Sequence, residues 1–233
     1  HHPQCLIQLE GHGREELFEP VDLTRTVGWF TSLFPVALTP VADDLGASIK
    51  QIKEQLRAIP NKGIGFGALR YLGDAQARES LAALPEPRIT FNYLGQFDGS
   101  FSADEQALFS PAGEGTGAEQ SPEAPLGNWL TLNGQIYAGE LSLNWLFSRE
   151  MFDEATIQYL ADEYAEELAA LIAHCLDPAH RGLTPSDVPL AAIGQAQLDR
   201  LPIPAAQIAD LYPLSPMQQG MLFHTFYEQG TGN

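Results

Sequence analysis

The chain has 233 residues, 44% of them hydrophobic, which is enough to enclose one large core or two small ones and excludes disorder over most of its length. With 30 acidic against 12 basic side chains it carries a formal net charge of -18, so it repels phosphate backbones and anionic lipid, and nucleic acid and membrane surfaces are excluded as partners. The charge reads as a solvated acidic surface.

Cys5 and Cys175 supply neither a disulfide framework nor zinc-ligand spacing, and are expected as buried reduced thiols. No apolar run reaches membrane-spanning length and no basic segment precedes an apolar one at the N-terminus, so the cytoplasm is the expected compartment.

In chain order, Cys5, Ile7 and Leu9 alternate with Leu6, Gln8 and Glu10, which predicts a strand with Glu10 at its end and Gly11 and Gly13 turning the chain at once. The β-branched and aromatic run from Thr26 predicts a second extended segment ending near Pro35. Leu45, Ile49, Ile52, Leu56 and Ile59 recur at helical spacing, with Asp43 or Asp44 as N-cap and Pro60 as the stop. A shorter helical stretch from Asp74 to Leu84 leads into a strand over Arg88–Phe97, in which Ile89, Phe91 and Tyr93 alternate with Thr90, Asn92 and Leu94.

Residues 98–127 have loop composition. Trp129–Ser148 predicts two strands joined near Gly139, with Asn133–Gly134 as the alternative turn. Ile157, Leu160, Tyr164, Leu168, Leu171 and Cys175 then form a helical stripe opposed by Asp162, Glu163, Glu166 and Glu167. After Pro178 the prolines are too frequent for long regular elements, and the segment reads as a linker before a possible helix at Pro216–Glu228. Strands interleaved with amphipathic helices give an α/β layered domain.

Four blocks stand in order: EGHGRE from Glu10, RTVGWFTSLFP from Arg25, PNKGIGFG from Pro60 and FNYLGQF from Phe91. Together they resemble the C-terminal half of the epimerization domains of nonribosomal peptide synthetases, over roughly residues 4–176. DLYPLSPMQQGMLFHTFYE, from Asp210, is similar to the opening of a condensation domain. The resemblance implies a chloramphenicol-acetyltransferase-like fold, in which two α/β subdomains (each a mixed sheet covered by helices) form a V around a tunnel. This chain would hold the second subdomain at 1–177, a Pro-rich interdomain linker at 178–207 and the start of a following condensation domain at 208–233.

The family's N-terminal half carries a histidine motif HHxxxDG. His1-His2 do not match it, because Leu6 and Ile7 stand where Asp and Gly belong.

The implied activity is inversion, L to D, at the Cα of an aminoacyl or peptidyl thioester in synthetases that make antibiotics or siderophores. Removing a proton from one face and returning one to the other needs a poised acid/base group, and a carboxylate at a strand end, beside glycines that admit a substrate arm, can serve. By resemblance Glu10 is that group, working across the tunnel from the second histidine of the absent half, without which activity is not expected. Tyr93 resembles the active-site tyrosine, although an aromatic in a strand also reads as core.

Asn92 and Gln96 are weaker candidates in the same block. Arg14 is a supporting residue that either pairs with Glu15 or Glu16 or holds the loop. His12 has no second ligand at metal spacing. Trp29 and Phe30 read as core or tunnel lining, and Lys62 as a minor candidate for a carrier phosphate.

No intrinsic cofactor or metal is implied. The phosphopantetheine arm belongs to the upstream peptidyl carrier protein and arrives as the substrate's tether, while the N-terminal subdomain and the downstream condensation domain are the other implied partners. An amide-forming condensation domain and a non-catalytic carrier-docking fragment are the alternative readings.

Overall fold

Alternation from Cys5 is realised as strand β1 (Cys5–Gly11), the second strand of a five-stranded mixed sheet ordered β2-β1-β3-β4-β5. The computed structural model describes residues 4–15, 17–96, 117, 121 and 123–229. His1, His2 and the greater part of the 98–127 segment lie outside them. β2 (Ser32–Leu38) runs antiparallel to β1, β3 (Ile89–Gln96) parallel to β1, β4 (Leu130–Tyr137) parallel to β3, and β5 (Glu140–Phe147) antiparallel to β4.

β2 differs from the expected strand. It begins at Ser32, and Pro35 lies at its centre opposite Gln8 rather than ending it. A proline there is tolerated because β2 is an edge strand, where the missing N–H costs no interior ladder bond. Of the two turns considered for the last hairpin, Ala138–Gly139 is the one formed, both residues having positive φ (53° and 75°) as a two-residue turn of the I′ kind demands. Asn133 and Gly134 lie inside β4.

The sheet face built from Leu9, Phe34, Phe91, Leu132 and Trp145 is apolar because the register sets these residues side by side. The long helix α4 (Glu154–Leu176) covers its far half: Ile157 is buried against Leu130 and Leu132, and Tyr164 meets Trp145 edge to face at 5.9 Å. Each such aliphatic side chain contributes about 1.5–3 kcal/mol on burial.

The stripe read on this helix is only partly inward. Ile157, Tyr164 and Leu168 are sheltered, but Leu160, Leu171 and Cys175 are exposed. Cys5 is exposed as well, so neither cysteine takes the buried place expected of it.

α1 (Leu45–Arg57) lies against α4, capped by Asp44, whose side chain accepts from Ala47 N at 2.8 Å; Ile59 falls outside the helix. A 3-10 turn, Pro60–Gly63, reverses the chain into α2 (Gly65–Leu72), and α3 (Ala75–Ala82), capped by Asp74, follows. The 60–67 block is therefore a turn leading into a helix. Gly63 (φ 82°) is obligatory at this turn, since a Cβ there would lie 2.3 Å from the Phe34 ring.

Beyond α4 the proline-rich segment forms short turns and the one-turn helix α5 (Gln195–Leu198), and it docks on α1. Lys53 pairs with Asp187 at 2.5 Å, Lys50 with Asp199 at 2.8 Å, and Ser186 Oγ donates to Glu54 at 2.6 Å. Val188 and Leu198 are buried beneath these contacts. The hydrogen bond from Lys53 holds the Asp187 carboxyl below the usual carboxylate range, and the one from Lys50 does the same to Asp199. α6 (Pro216–Gln229) closes the described chain with Met217, Met221, Phe223 and Phe226 all exposed.

Candidate active site

β1 delivers Glu10 half-buried at its last position but one, before Gly11 and opposite Leu33 of β2. Gln8 pairs with Thr90 and Leu9 with Phe91, so continuing the same register one step sets Glu10 level with Asn92. Asn92 in turn pairs with Asn133 of β4, and Asn133 with Asn144 of β5.

Side chains at aligned positions share a face. Glu10, Asn92, Asn133 and Asn144 therefore form one polar row across four strands, on the face opposite α4. None of these four side chains has a hydrogen-bond or ion-pair partner among the described residues. By contrast, the side-chain amide nitrogens of Gln51, Gln55 and Gln195 all donate to protein carbonyls.

Asn133 and Asn144 were missed by sequence reasoning. The signal was present, because both alternate with apolar neighbours, but alternation alone makes them solvent-side residues and only strand register aligns them with Glu10.

Below this row the same face carries Gln8 and Thr90, the latter buried and bonded to the Asn128 amide. A cleft of about 620 Å³ reaches Gln8, Leu33 and Pro35 from α2, whose Phe66, Arg70 and Tyr71 form its other wall.

Tyr93 alternates to the other face. Its ring lies beside Gly134 and Leu143, as shown by a Cβ placed on Gly134, which would be 3.5 Å from Tyr93 Cδ2 and 2.9 Å from Leu143 Cδ2. The side chain is half exposed. Gln96, at the irregular end of β3, pairs with Ile136. The structure thus brings Glu10 and Asn92 together and sets Tyr93 on the reverse of the sheet.

The loop after Glu10 is held by its own residues. Gly13 has φ 68°, and a Cβ there would collide with Phe30 O at 1.6 Å, so the loop closes against Phe30 only because this residue is glycine. The Arg14 guanidinium donates to Thr26 O and Gly28 O and stacks on the Phe30 ring at 4.8 Å, holding the 24–30 loop, and it makes no ion pair with Glu15; the alternative partner Glu16 lies outside the described residues.

Glu15 instead takes Lys62 at 2.7 Å, so Lys62, though largely exposed, is already paired. His12 Nδ1 accepts from Arg14 N at 2.9 Å, which leaves the proton on Nε2, 3.2 Å from Glu15. Both nitrogens are engaged in this loop. Trp29 is 89% exposed and Phe30 44%, which corrects the core reading of this pair. Only the first part of the run from Thr26, residues 26–31, is a loop, and its Thr26 and Gly28 carbonyls accept from Arg14; the strand begins at Ser32.

The sequence model of the condensation-domain family matches residues 1–193. The chain belongs to the condensation-domain family. Within it, the chain is similar to linear gramicidin synthase subunits C and B of Brevibacillus parabrevis, at 48% and 44% identity over 229 residues, and to surfactin synthase subunit 1 of Bacillus subtilis, at 41% over 196 residues.

These cover 97%, 97% and 84% of the chain but only 3%, 4% and 5% of the relatives, so the chain spans a small part of the multidomain proteins it matches. The solved epimerization domain from the third module of tyrocidine synthetase B is similar at 43% identity and a TM-score of 0.66, over 75% of this chain and 38% of that one. The five-stranded mixed sheet with its helices is thus the condensation-domain fold. Among the described residues no helix is long and apolar enough to cross a membrane.

Proposed function

We propose that residues 1–177 are the C-terminal subdomain of an epimerization domain in a nonribosomal peptide synthetase, followed by a connecting segment at 178–207 and the start of a condensation domain at 208–233. The reaction is inversion at the Cα of an aminoacyl or peptidyl thioester, carried on the phosphopantetheine arm of an upstream carrier protein. The reading rests on one observation above the others: Glu10 is a half-buried carboxylate at the end of a strand, without a protein partner among the described residues, in line with an unpaired amide at Asn92. The likeness to a solved epimerization domain supports it.

In this reading the Glu10 carboxylate takes the α-proton. The electron pair left on Cα moves into the bond to the thioester carbon, giving an enolate whose oxygen is stabilised by hydrogen bonding; an acid across the tunnel, by resemblance the second histidine of the N-terminal half, then gives its proton to the opposite face of Cα while Glu10 keeps the one it took. Asn92, one strand spacing away at about 4.8 Å, is placed to donate its amide N–H to that oxygen. Acid/base catalysis of this kind typically supplies about 10²- to 10⁴-fold, and positioning of the thioester supplies much of the rest.

The decisive experiment uses Glu10→Gln in the intact synthetase with a carrier bearing an L-aminoacyl thioester. The wild type is expected to approach a mixed D:L ratio and to incorporate deuterium at Cα from D₂O, and the variant to do neither while melting at the same temperature. Equilibration in Glu10→Gln at the wild-type rate removes Glu10 from the mechanism. Peptide-bond formation by the wild type without α-exchange replaces this reading with amide-forming condensation.

A further inference from the structure

β1 pairs with β3 at Gln8 and Leu9, so Glu10 and Gly11 lie past that ladder and are joined to the sheet through β2, an edge strand. A carboxylate that must meet one particular proton needs firmer placement than an edge strand gives, because a misplacement of about 1 Å can cost about 100-fold in rate. The support comes from the turn before α2. A Cβ on Gly11 would stand 3.5 Å from the Phe34 ring and 3.9 Å from Lys62 O, and one on Gly63 would stand 2.3 Å from the same ring. Gly11, the buried Phe34 ring and the Asn61–Gly63 backbone therefore rest on one another around the residue that follows Glu10.

This turn carries backbone strain. Asn61, Lys62 and Gly63 have φ of 47°, 51° and 82°, three successive residues in the left-handed region. Glycine and asparagine accept that region readily, lysine does not, and such a conformation persists only where its surroundings over-determine it. Lys62 is held by its own side chain, whose Nζ lies 2.7 Å from Glu15 Oε2. The Glu15 side chain is 12% exposed and its other oxygen is 3.2 Å from His12 Nε2, whereas the Lys62 side chain is 72% exposed. A pair with so exposed a partner adds little to global stability. What it does is join the loop that follows Glu10 to the turn that rests on Gly11.

We propose that Lys62 and Glu15 are positioning residues, whose ion pair clamps the left-handed turn against Gly11 and so sets where the Glu10 carboxylate stands. The inference rests on the reading of Glu10 as the group that takes the α-proton. Both residues act through Gly11 and the loop, and neither is assigned a contact with the substrate.

The test is made in the intact synthetase, by α-deuterium exchange and by peptide-resolved amide hydrogen exchange. Lys62→Ala and Glu15→Gln are each expected to lower kcat about tenfold with KM within about twofold of the wild type. The double variant is expected to be no slower than either single one, because the two side chains work as a unit. Lys62→Arg keeps the charge and the reach, and is expected to recover kcat to within about threefold. Lys62→Gly separates placement from stability: glycine relieves the left-handed backbone, so the turn is protected at least as well as in Lys62→Ala, yet kcat stays low because the clamp is gone. Amides of residues 10–13 are expected to exchange faster in Lys62→Ala, with β3 and β4 protected as in the wild type.

Wild-type kcat in Lys62→Ala or in Lys62→Gly, additive losses in the double variant, or a Lys62→Arg no faster than Lys62→Ala overturns the proposal. Glu10→Gln keeps the two readings apart. Exchange that survives Glu10→Gln strikes the assignment of Glu10 and the role of the pair with it, whereas exchange that needs Glu10 and is indifferent to Lys62 strikes the pair alone.

Discussion

Glu10 and Asn92 stand level on adjacent parallel strands, on the face opposite α4, while Tyr93, the next residue along, has its ring on the reverse beside Gly134. The two residues of the FNYLGQ block are thereby separable. Asn92→Ala is expected to lower kcat at least about tenfold in the α-deuterium exchange assay, the loss of a donor to developing charge. Tyr93→Phe is expected to lower it by no more than about threefold, since only a half-exposed hydroxyl on the other face is removed. A larger effect of Tyr93→Phe than of Asn92→Ala reverses the assignment.

Arg14 holds the loop by a planar fork that spans two carbonyls, Thr26 O and Gly28 O, and by stacking on Phe30. Lysine keeps the charge but not the fork. Arg14→Lys is expected to speed hydrogen exchange at residues 24–30 and to shift the emission of Trp29 without slowing exchange in β3 or β4. Unchanged protection of the loop refutes the clasp.

Gly63→Ala tests the turn before α2. The new Cβ would meet the buried Phe34 ring at 2.3–2.4 Å in a backbone conformation that disfavours side chains. A loss of about 2–4 kcal/mol in urea unfolding is expected. Gly65→Ala, where a Cβ meets nothing within 4 Å, is the control and is expected to stay within about 0.5 kcal/mol.

The docking of the 184–199 segment on α1 depends on pH in a definite direction. Asp187 and Asp199 have lowered carboxyl pKa values in the fold, chiefly through hydrogen bonds from Lys53 and Lys50. Their contribution is complete above the usual aspartate range and is lost as pH falls through the lowered folded values. Because Lys53 and Asp187 are each a third exposed, screening limits that pair to about 1 kcal/mol or less. Protection from hydrogen exchange at residues 184–199, taken relative to the intrinsic rate at each pH, is expected to fall more between pH 6 and pH 3 in wild type than in Lys53→Ala, and an equal fall would show that the pair contributes nothing.

What the sequence disclosed is what local periodicity encodes. The two-period alternation of Ile89 to Leu94 and of Leu141 to Phe147, the Asp44 cap and the Ala138–Gly139 turn region all concern residues within a few positions of one another. The failures are non-local. The Thr26–Phe30 run has strand composition but becomes a loop because Arg14, more than ten residues earlier, takes its carbonyls. Pro35 looked like a terminator because its tolerance depends on β2 lying at an edge. The Asn133–Asn144 alignment with Glu10 needs strand order and register, neither of which any single segment carries.

Pro35 has a consequence beyond β2. Midway along one border of the sheet the backbone lacks a donor, so a foreign strand seeking to extend the sheet there would find its pairing interrupted at the centre. A protein that presents several solvent-facing aromatic and aliphatic side chains is thereby guarded against growing into fibrils along that margin, and the guard is a single imino acid.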